Sequence, residues 1–348
     1  MCDPRSLEAL GELPDVELDG SELSWGYYTD QRMSGTIKAL GAGWIDHSLL
    51  RVVLTMGGVT QELATGVVQK MPWSRSGGAQ VVEYEIHSAL AMIADDLIPW
   101  HWTICAGARS TDVVSELVGG AGRPYLITAD AVNHIWSEPK VYEMGDSRLS
   151  DLMDVADVSG NRIDVDGHGN ITWSRYVPPS ARTPTFRLDL SDPKTTVLDG
   201  IKGGTSRLDT PTRAVVTYHG EKRDAEGEIV KDADGKAVQV ELYAYADMRS
   251  TETSGARGYV IATHEQVDDL PDQSQAAIDA KAREAASRLT ADKWREWELS
   301  CAYTPLRMGD VGELVLPDGV DAGLHKVLVK NLKLDLKTLV MDLTLKEV

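Results

Sequence analysis

Cysteine is scarce in this chain of 348 residues. Cys2, Cys105 and Cys301 are odd in number and widely spaced. Such a set predicts neither a disulfide framework nor a zinc site, since both need closely grouped or paired thiols. A reducing cytoplasm is therefore the setting that we expect for synthesis and folding.

A long apolar run is also missing. The longest candidate, residues 89–108, is interrupted by Asp95, Asp96 and Pro99, so we expect no membrane-spanning helix there. The first twenty residues carry six acidic side chains and one arginine, which is not the pattern of a secretory signal.

Positive charge is in deficit, with 35 lysines and arginines against 54 acidic residues and a formal net charge of −19. A nucleic-acid-binding surface needs positive charge against phosphate, so the composition disfavours specific nucleic-acid binding. The acidic charge suits solubility, and it also suits a surface from which DNA is repelled.

Two regions of the sequence have residue patterns typical of β-strands. After an N-terminal arm (1–19), residues 20–87 contain five apparent strands without an intervening helix, which is typical of a small β-barrel or sandwich. In the segment 32–40, Met33, Ile37 and Ala39 alternate with polar residues, as in a half-buried strand. Gly57-Gly58 predicts a hairpin turn.

Helices begin near Ser88. We predict a helix ended by Pro99 and a second one capped by Ser110 or Thr111 and ended by Gly119-Gly120. A third helix is predicted to be capped by Ser147 and ended by Gly160. Short strands lie between them, so residues 88–190 are predicted to form one or two α+β insert domains.

A Gly-, Pro- and Ser-rich stretch at 191–210 is predicted to be a linker. We expect residues 211–348 to form a second barrel-like domain, with an inserted helix at 272–293 and an exposed hairpin tip at 221–237. The predicted fold class is therefore α+β, mainly β, with two small β-barrel-like domains and α+β insert domains between them.

The stretch NRIDVDGHGNITWSRY (161–176) has the look of a calcium loop. Counted from Asp164, however, the fifth ligand position is His168 and the twelfth is Arg175, which a hard cation does not favour. The flanking residues alternate as in strands, and Gly167 and Gly169 suit a tight turn. We therefore predict a plain hairpin.

Other chemical signatures are missing as well. The eight histidines show no zinc-protease spacing, and no GxSxG or phosphate-loop motif is present. No pair of carboxylates stands out as a glycosidase pair. Trp100, His101 and Trp102 are able to stack on a sugar, although core or subunit packing is the commoner role of such tryptophans. We predict no catalytic, cofactor-binding or metal-binding residues and no enzymatic activity.

Three stretches together resemble the baseplate-hub, or tail-hub, proteins of long-tailed bacteriophages. They are the first strand-rich region (34–73), the helix and hairpin at 147–173, and the long helix running into WREWELSCAYTPLRMGDVGELVL (294–316). The resemblance covers about residues 20–346 and rests on patterns rather than on catalytic motifs.

The resemblance implies a virion protein at the distal end of the tail, synthesised in the host cytoplasm. Such a protein forms a homotrimer whose two similar barrels alternate into a pseudo-sixfold ring. The ring adapts a hexameric tail tube to a threefold tip and forms part of the channel for DNA ejection. The implied partners are a second and third copy, a tail-tube or distal-tail protein, a tape-measure protein and a tip or fibre protein. A carbohydrate-binding tail component and a tail-associated glycoside hydrolase are the alternatives.

Overall fold

We describe the fold from a computed structural model of the chain. The described residues are 1–30, 32–41, 49–76, 78–99, 101–120, 122–198, 200–205, 212–224, 228–247, 262–267, 270, 272–291, 295–319 and 322–348. Within them, twenty strands form four sheets and helices are few. The predicted fold class, α+β and mainly β, is confirmed.

Six strands come from the N-terminal part of the chain. They are β1 Val16–Gly26, β2 Met33–Leu40, β3 Leu49–Met56, β4 Val59–Lys70, β5 Trp73–Ser76 and β6 Ala79–Ser88. In β2 the predicted alternation is confirmed, with Met33, Ile37 and Ala39 buried on one face. The predicted hairpin joins β3 to β4 through Gly57 and Gly58, whose φ angles of 59° and 81° favour glycine.

The next part of the chain alternates short helices and strands. They are α1 Leu90–Ala94, β7 Trp102–Ile104, α2 Ser110–Val114, β8 Tyr125–Ile127, β9 Lys140–Tyr142, α3 Arg148–Ser159, β10 Asn161–Val165 and β11 Ile171–Arg175. One sheet has the order β10-β11-β8, and β7 pairs with β9 in another. The helix α2 begins at Ser110 with Arg109 at its N-cap, one residue before the predicted cap, and a π-helical turn, Ser115–Gly119, continues it to the predicted glycine stop.

The helix α3 has the predicted ends, with Ser147 at its N-cap and Gly160, at φ 66°, at its C-cap. The helix α1 is shorter than predicted. After Ala94 the chain leaves the helix, and Ile98 exchanges backbone hydrogen bonds with Gly145 and Asp146 (both 2.8–2.9 Å). This pairing satisfies the backbone of residues that the sequence pattern assigns to a helix.

The remaining elements are β12 Phe186–Asp189, β13 Lys202–Thr205, β14 Arg213–Glu221, β15 Gln239–Asp247, β16 Ala262–Val267, α4 Gln275–Ala291, β17 Arg295–Ala302, β18 Val311–Leu316, β19 Gly323–Asp335 and β20 Val340–Glu347. In the hairpin of β19 and β20, alternating apolar residues of both strands face the core, among them Leu332 and Leu334 of β19 and Met341 and Leu343 of β20. The turn at Lys337-Thr338 shifts the phase between them.

The two strand-rich regions form one sheet rather than two separate ones. This twelve-stranded sheet, called here the large sheet, contains a path of nine hydrogen-bonded strands in the order β13-β17-β20-β19-β1-β2-β6-β4-β3. The strand β1 joins the halves, because it pairs with β2 on one side and with β19 on the other. The described residues contain no separately closed barrel.

The large sheet covers a single core to which both halves contribute. Leucine, isoleucine and valine side chains of β1, β2 and β6 pack with those of β17, β19 and β20. The insert region has its own core, centred on Leu152, Val155 and the buried indoles of Trp136 and Trp173. The core of the large sheet therefore joins distant parts of the sequence, whereas the core of the insert region comes from one continuous segment, residues 89–173.

The long helix does not stand alone in the second strand-rich region. A third core joins α4 to the sheet of β15, β14 and β16, called here the small sheet. Ile278 and Ala282 of α4 are fully buried against Val216 and Tyr218 of β14. Of the predicted helix 272–293, residues 292 and 293 lie outside the described residues.

Two further segments differ from the sequence pattern. The predicted linker 191–210 contains β13, which pairs with β17 at the margin of the large sheet. Its Gly203-Gly204 pair has no side chains to show strand alternation, which explains why the sequence suggests a loop. The N-terminal arm is also paired, because Cys2 exchanges backbone hydrogen bonds of 2.8 and 2.9 Å with Leu49. The domain boundaries themselves stay predictions.

Candidate functional site

The segment that resembles a calcium loop is a hairpin, as predicted, and its carboxylates bind within the protein. Asp166 Oδ1 accepts hydrogen bonds from the backbone N–H groups of Gly169 and Asn170, both at 2.8 Å. Asp164 Oδ2 lies 2.9 Å from Arg162 Nη2. These oxygens stabilise a turn and an ion pair, which is the geometry of an Asx-type turn rather than of a cation cage.

The hairpin turn docks against β4 of the large sheet. Thr65 Oγ1 donates to the Gly167 carbonyl at 2.8 Å, and His168 Nδ1 lies 2.9 Å from Glu62 Oε2. A Cβ atom on Gly167 would lie 2.3 Å from the Glu62 carbonyl oxygen, so only glycine permits this approach. The glycines of the turn therefore serve contact between the insert region and the large sheet.

Arg51 of β3 binds the N-terminal arm, β4 and the hairpin of the insert region at this contact. Its Nη2 donates to the carbonyl oxygens of Leu7 at 2.8 Å and His168 at 3.0 Å. Its Nε donates to Thr65 Oγ1 at 3.1 Å, and Nη1 lies 3.3 Å from Glu62 Oε1. The guanidinium thus connects the N-terminal arm, the edge of the large sheet and the hairpin of the insert region.

The tryptophan cluster does not form an open sugar platform among the described residues. Trp102 is buried, stacks on Tyr142 with 5.3 Å between the ring centroids, and donates from Nε1 to Glu116 at 2.8 Å. His101 is exposed and pairs with Glu143 at 3.1 Å. Trp100 lies outside the described residues. Core packing, the commoner expectation for such tryptophans, is confirmed for Trp102.

The feature that stands out is the face of the large sheet opposite its core, called here the polar face. One row of directly paired residues crosses six strands of this face: Ser300, Asp342, Lys333, Ser24, Ser34 and His87. The next row contains Asp335, Glu22, Thr36, Glu85 and Lys70. Polar and charged side chains thus run without a break across the junction of the two halves.

The lysines of the polar face lie beside carboxylates. Lys333 Nζ is 2.7 Å from Glu22 Oε2, and this hydrogen bond raises the pKa of Lys333. Lys70 is 3.1 Å from Glu85. The pairs formed by Lys38 with Glu83 (3.5 Å) and by Lys330 with Glu296 (2.7 Å) have the same arrangement. Paired ammonium groups are poor phosphate ligands, because their charge is already compensated.

A cleft of about 1220 Å³ lies over part of the polar face. The floor includes Ser24, Asn331 and Thr344 of the sheet, and Ser150 and Met153 of α3 form a wall. The lining is mixed in polarity and brings no catalytic pair of residues together. The cleft therefore has the character of a surface groove between two layers of the protein.

The large sheet also has two margins along its nine-strand path. One margin is β13 and the other is β3. Within the described part of the chain, β3 pairs with β4 on one side, and on the other side it makes only the bridge between Cys2 and Leu49. The distal part of the β3–β4 hairpin exposes Val53, Met56 and Val59. Uncovered strand edges with apolar side chains are ready to pair with another chain.

Two broader features concern the described residues only. They hold no group of three or more His, Cys, Asp or Glu side chains placed to share a metal ion. They also contain no helix that is long and apolar enough to cross a membrane.

The sequence pattern shows the alternation in each strand of the polar face. It does not show that β1 lies beside β19, about 300 residues later, so it gives no sign that the polar residues form one surface. A candidate surface of this kind depends on strand order, which only the structure supplies.

Solved structures with the same architecture are phage tail and related proteins. A tail protein from Neisseria meningitidis MC58 aligns with a TM-score of 0.63 at 11% sequence identity, over 94% of this chain and 91% of that chain. The 43 kDa tail protein of prophage MuSo2 from Shewanella oneidensis aligns with a TM-score of 0.61 at 12% identity, over 94% and 93% of the two chains.

A third structure comes from a secretion machine. It is an E. coli component of the type VI secretion system that exhibits structural similarity to the T4 bacteriophage tail proteins gp27 and gp5. It aligns with a TM-score of 0.53 at 11% identity, over 98% of this chain and 75% of that chain. No protein-family model and no curated protein matches the sequence. The chain has the fold of phage tail proteins, and the resemblance inferred from the sequence is confirmed at the level of the fold.

Proposed function

We propose that this chain is a structural component of a phage tail tip, where three copies form a hub ring around the path of the DNA. The observation that carries the proposal is the polar face, which is continuous across both halves of the large sheet and bears lysines already paired with carboxylates. A channel wall of this kind offers DNA few free positive charges, so the DNA passes without being held.

The two margins of the large sheet support the ring. A contact between β3 of one copy and the β13 side of the next is heterologous, and heterologous contacts form a closed ring when the rotation between copies allows it. Each copy contributes two strand-rich halves, so three copies place six similar halves around the axis. Such a ring adapts a hexameric tube to a threefold tip.

The implied neighbours are a tail-tube or distal-tail protein, a tape-measure protein and a tip or fibre protein, at the distal end of the virion tail. The proposal assigns the chain no enzymatic activity, since its geometry explains an architectural role without a reaction. It contains no specific nucleic-acid contact either.

The assembly is tested by sedimentation velocity and negative-stain imaging of the purified full-length chain. We expect a species with three times the mass of the chain and a ring with a central opening. Met56→Lys combined with Val59→Lys places charge on the exposed β3–β4 hairpin and should reduce the trimer fraction. Leu126→Lys, on an exposed site of the insert region, is the control and should not. A monomer at all concentrations, alone and with tail-tube protein, contradicts the proposal.

The channel role has a separate test. Glu22→Gln combined with Glu85→Gln leaves Lys333 and Lys70 without their carboxylate partners. We expect this variant to gain salt-dependent binding to short duplex DNA at low salt, measured by fluorescence anisotropy.

The control is Glu8→Gln combined with Glu12→Gln, which makes the same change in net charge on the exposed N-terminal arm. If the control gains as much DNA binding, net charge alone is responsible. The polar face then has no special role, even if the trimer forms.

A further inference from the structure

Among the described residues, one face of the small sheet is covered by a helix and the other, called here the open face, is covered by no element. The helix α4 covers the side formed by Ala214, Val216 and Tyr218 of β14. The opposite side carries Tyr243 and Tyr245 of β15, which are 74% and 62% exposed. Trp73, on β5 of the large sheet, is the third aromatic side chain of the described residues that is more than half exposed.

The two tyrosines form a pair on one face of one strand. Positions two residues apart in a strand lie on the same side, about 7 Å from each other. Tyr243 is directly paired with Thr217 of β14, and Tyr245 is paired with Val215. The pair therefore projects from a part of the sheet whose register is unbroken, with a smaller side chain beside each ring.

Polar groups capable of hydrogen bonding surround the rings. Arg213 lies with its guanidinium carbon 4.3 Å from the centroid of the Tyr245 ring, and donates to both carboxylate oxygens of Asp247 at 2.7 and 3.0 Å. On the other side, Thr217 Oγ1 and His264 Nε2 are 2.9 Å apart. Hydroxyl, imidazole, guanidinium and carboxylate groups thus stand within the same small surface.

The face has no surplus of positive charge. Asp247 compensates Arg213, and Glu241, which lies 3.6 Å from His219, is a further carboxylate. Nothing on the face therefore attracts an anionic polymer, and the net charge of −19 on the whole chain repels one. The ligand that suits these properties is neutral and carries many hydroxyl groups.

We propose that the open face of the small sheet binds a neutral hexose polysaccharide. Sugar rings present one face of C–H groups, which pack on the electron-rich face of an aromatic ring, while their hydroxyls exchange hydrogen bonds with side chains at the rim. Two rings about 7 Å apart on one strand accommodate a chain of sugars lying along it. This binding site is separate from the polar face and does not depend on ring formation.

The test uses the full-length chain in native affinity gels that contain a neutral glucan, a neutral mannan or a neutral galactan. Anionic alginate serves as the charge control. We expect retardation in at least one neutral polymer and none in alginate. Tyr243→Ala combined with Tyr245→Ala should weaken the retarding interaction about tenfold or more, the equivalent of about 1.4 kcal/mol.

The matched control is Trp73→Ala, which removes an exposed aromatic ring from the large sheet and should leave the retardation unchanged. No retardation in any of the three neutral polymers overturns the proposal. The proposal is also overturned if alginate retards the chain as much as a neutral polymer does, or if the double variant is retarded as strongly as the parent. A loss of self-association in the double variant by sedimentation velocity overturns it too, because the face is then an interface between copies.

Discussion

Replacing Arg51 with methionine should loosen the contact between the insert region and the large sheet. Methionine keeps much of the length of the side chain but provides no donor. The side chain of Arg51 is 11% exposed and serves four acceptors, including the carbonyl oxygens of Leu7 and His168. Those two carbonyls lose a charged donor in the variant.

The cost follows from these contacts. Each hydrogen bond to a charged group contributes about 1.5–3 kcal/mol, and removing one partner of a buried network costs about 3–5 kcal/mol. Glu62 remains partly exposed and keeps its contact with His168, so the loss of stability lies at the lower end of this range. We expect a destabilisation of about 3 kcal/mol, and Arg51→Lys should recover part of it.

Hydrogen exchange detects this loosening. A loss of 3 kcal/mol increases the local opening equilibrium roughly 100-fold, since 1.4 kcal/mol is a factor of ten. Amides of residues 1–10 and of the β10–β11 hairpin should exchange faster together. Arg187→Met, which removes an exposed ion-paired arginine from β12, is the control and should leave stability and exchange nearly unchanged. The reasoning is refuted if Arg51→Met lowers the free energy of unfolding by less than about 1 kcal/mol. It is also refuted if amide exchange becomes faster in β3 and β4 alone.

Three further substitutions test separate parts of the fold. Burial raises the pKa of Asp151, which is 3% exposed, from 3.8 to about 6, so its contribution to stability is lost as pH rises through 6. Asp151→Asn should therefore be more stable than the parent by about 3 kcal/mol above pH 6 and equal to it below pH 4, in urea titrations. Gly167→Ala should lower the free energy of unfolding by about 1–3 kcal/mol, because the added Cβ displaces the hairpin. In Gly204→Ala the added Cβ meets no atom within 4 Å, so this control should keep its stability. Ala282→Leu should overpack the core under α4, lower the free energy of unfolding by a similar amount and reduce the melting temperature. Ala280→Leu, on the exposed side of the helix, should leave the melting temperature unchanged.

The sequence predicts local elements where side-chain pattern and capping residues agree. The helix α3 has a serine before it and a glycine after it, and the hairpin that follows has alternating residues on both sides of its turn. Both are found as predicted, because the information that specifies them lies within about thirty residues.

Such patterns do not specify which strands pair when the strands are far apart in the sequence. The segment 202–205 is a strand only because β17 lies next to it, and its glycines give no alternation. The same limit applies to α4, whose stripe of small residues predicts a partner surface without identifying the small sheet as that surface. The polar face is an arrangement of several strands, so it becomes visible only when the strands are placed. The spacing of Tyr243 and Tyr245 can be read from the sequence, but the face of the small sheet that α4 covers cannot.

The position of β1 also has a consequence for synthesis. Leu23 pairs with Leu334, about 300 residues later in the chain. At a translation rate of about 5–20 residues per second, one edge of β1 waits about 15–60 s for its partner after it leaves the ribosome. During that time the nascent N-terminal half presents an unpaired strand edge to other nascent chains on the same messenger RNA. Chaperone binding to the ribosome-bound chain, and its release when β19 emerges, is therefore an expected part of the production of this protein.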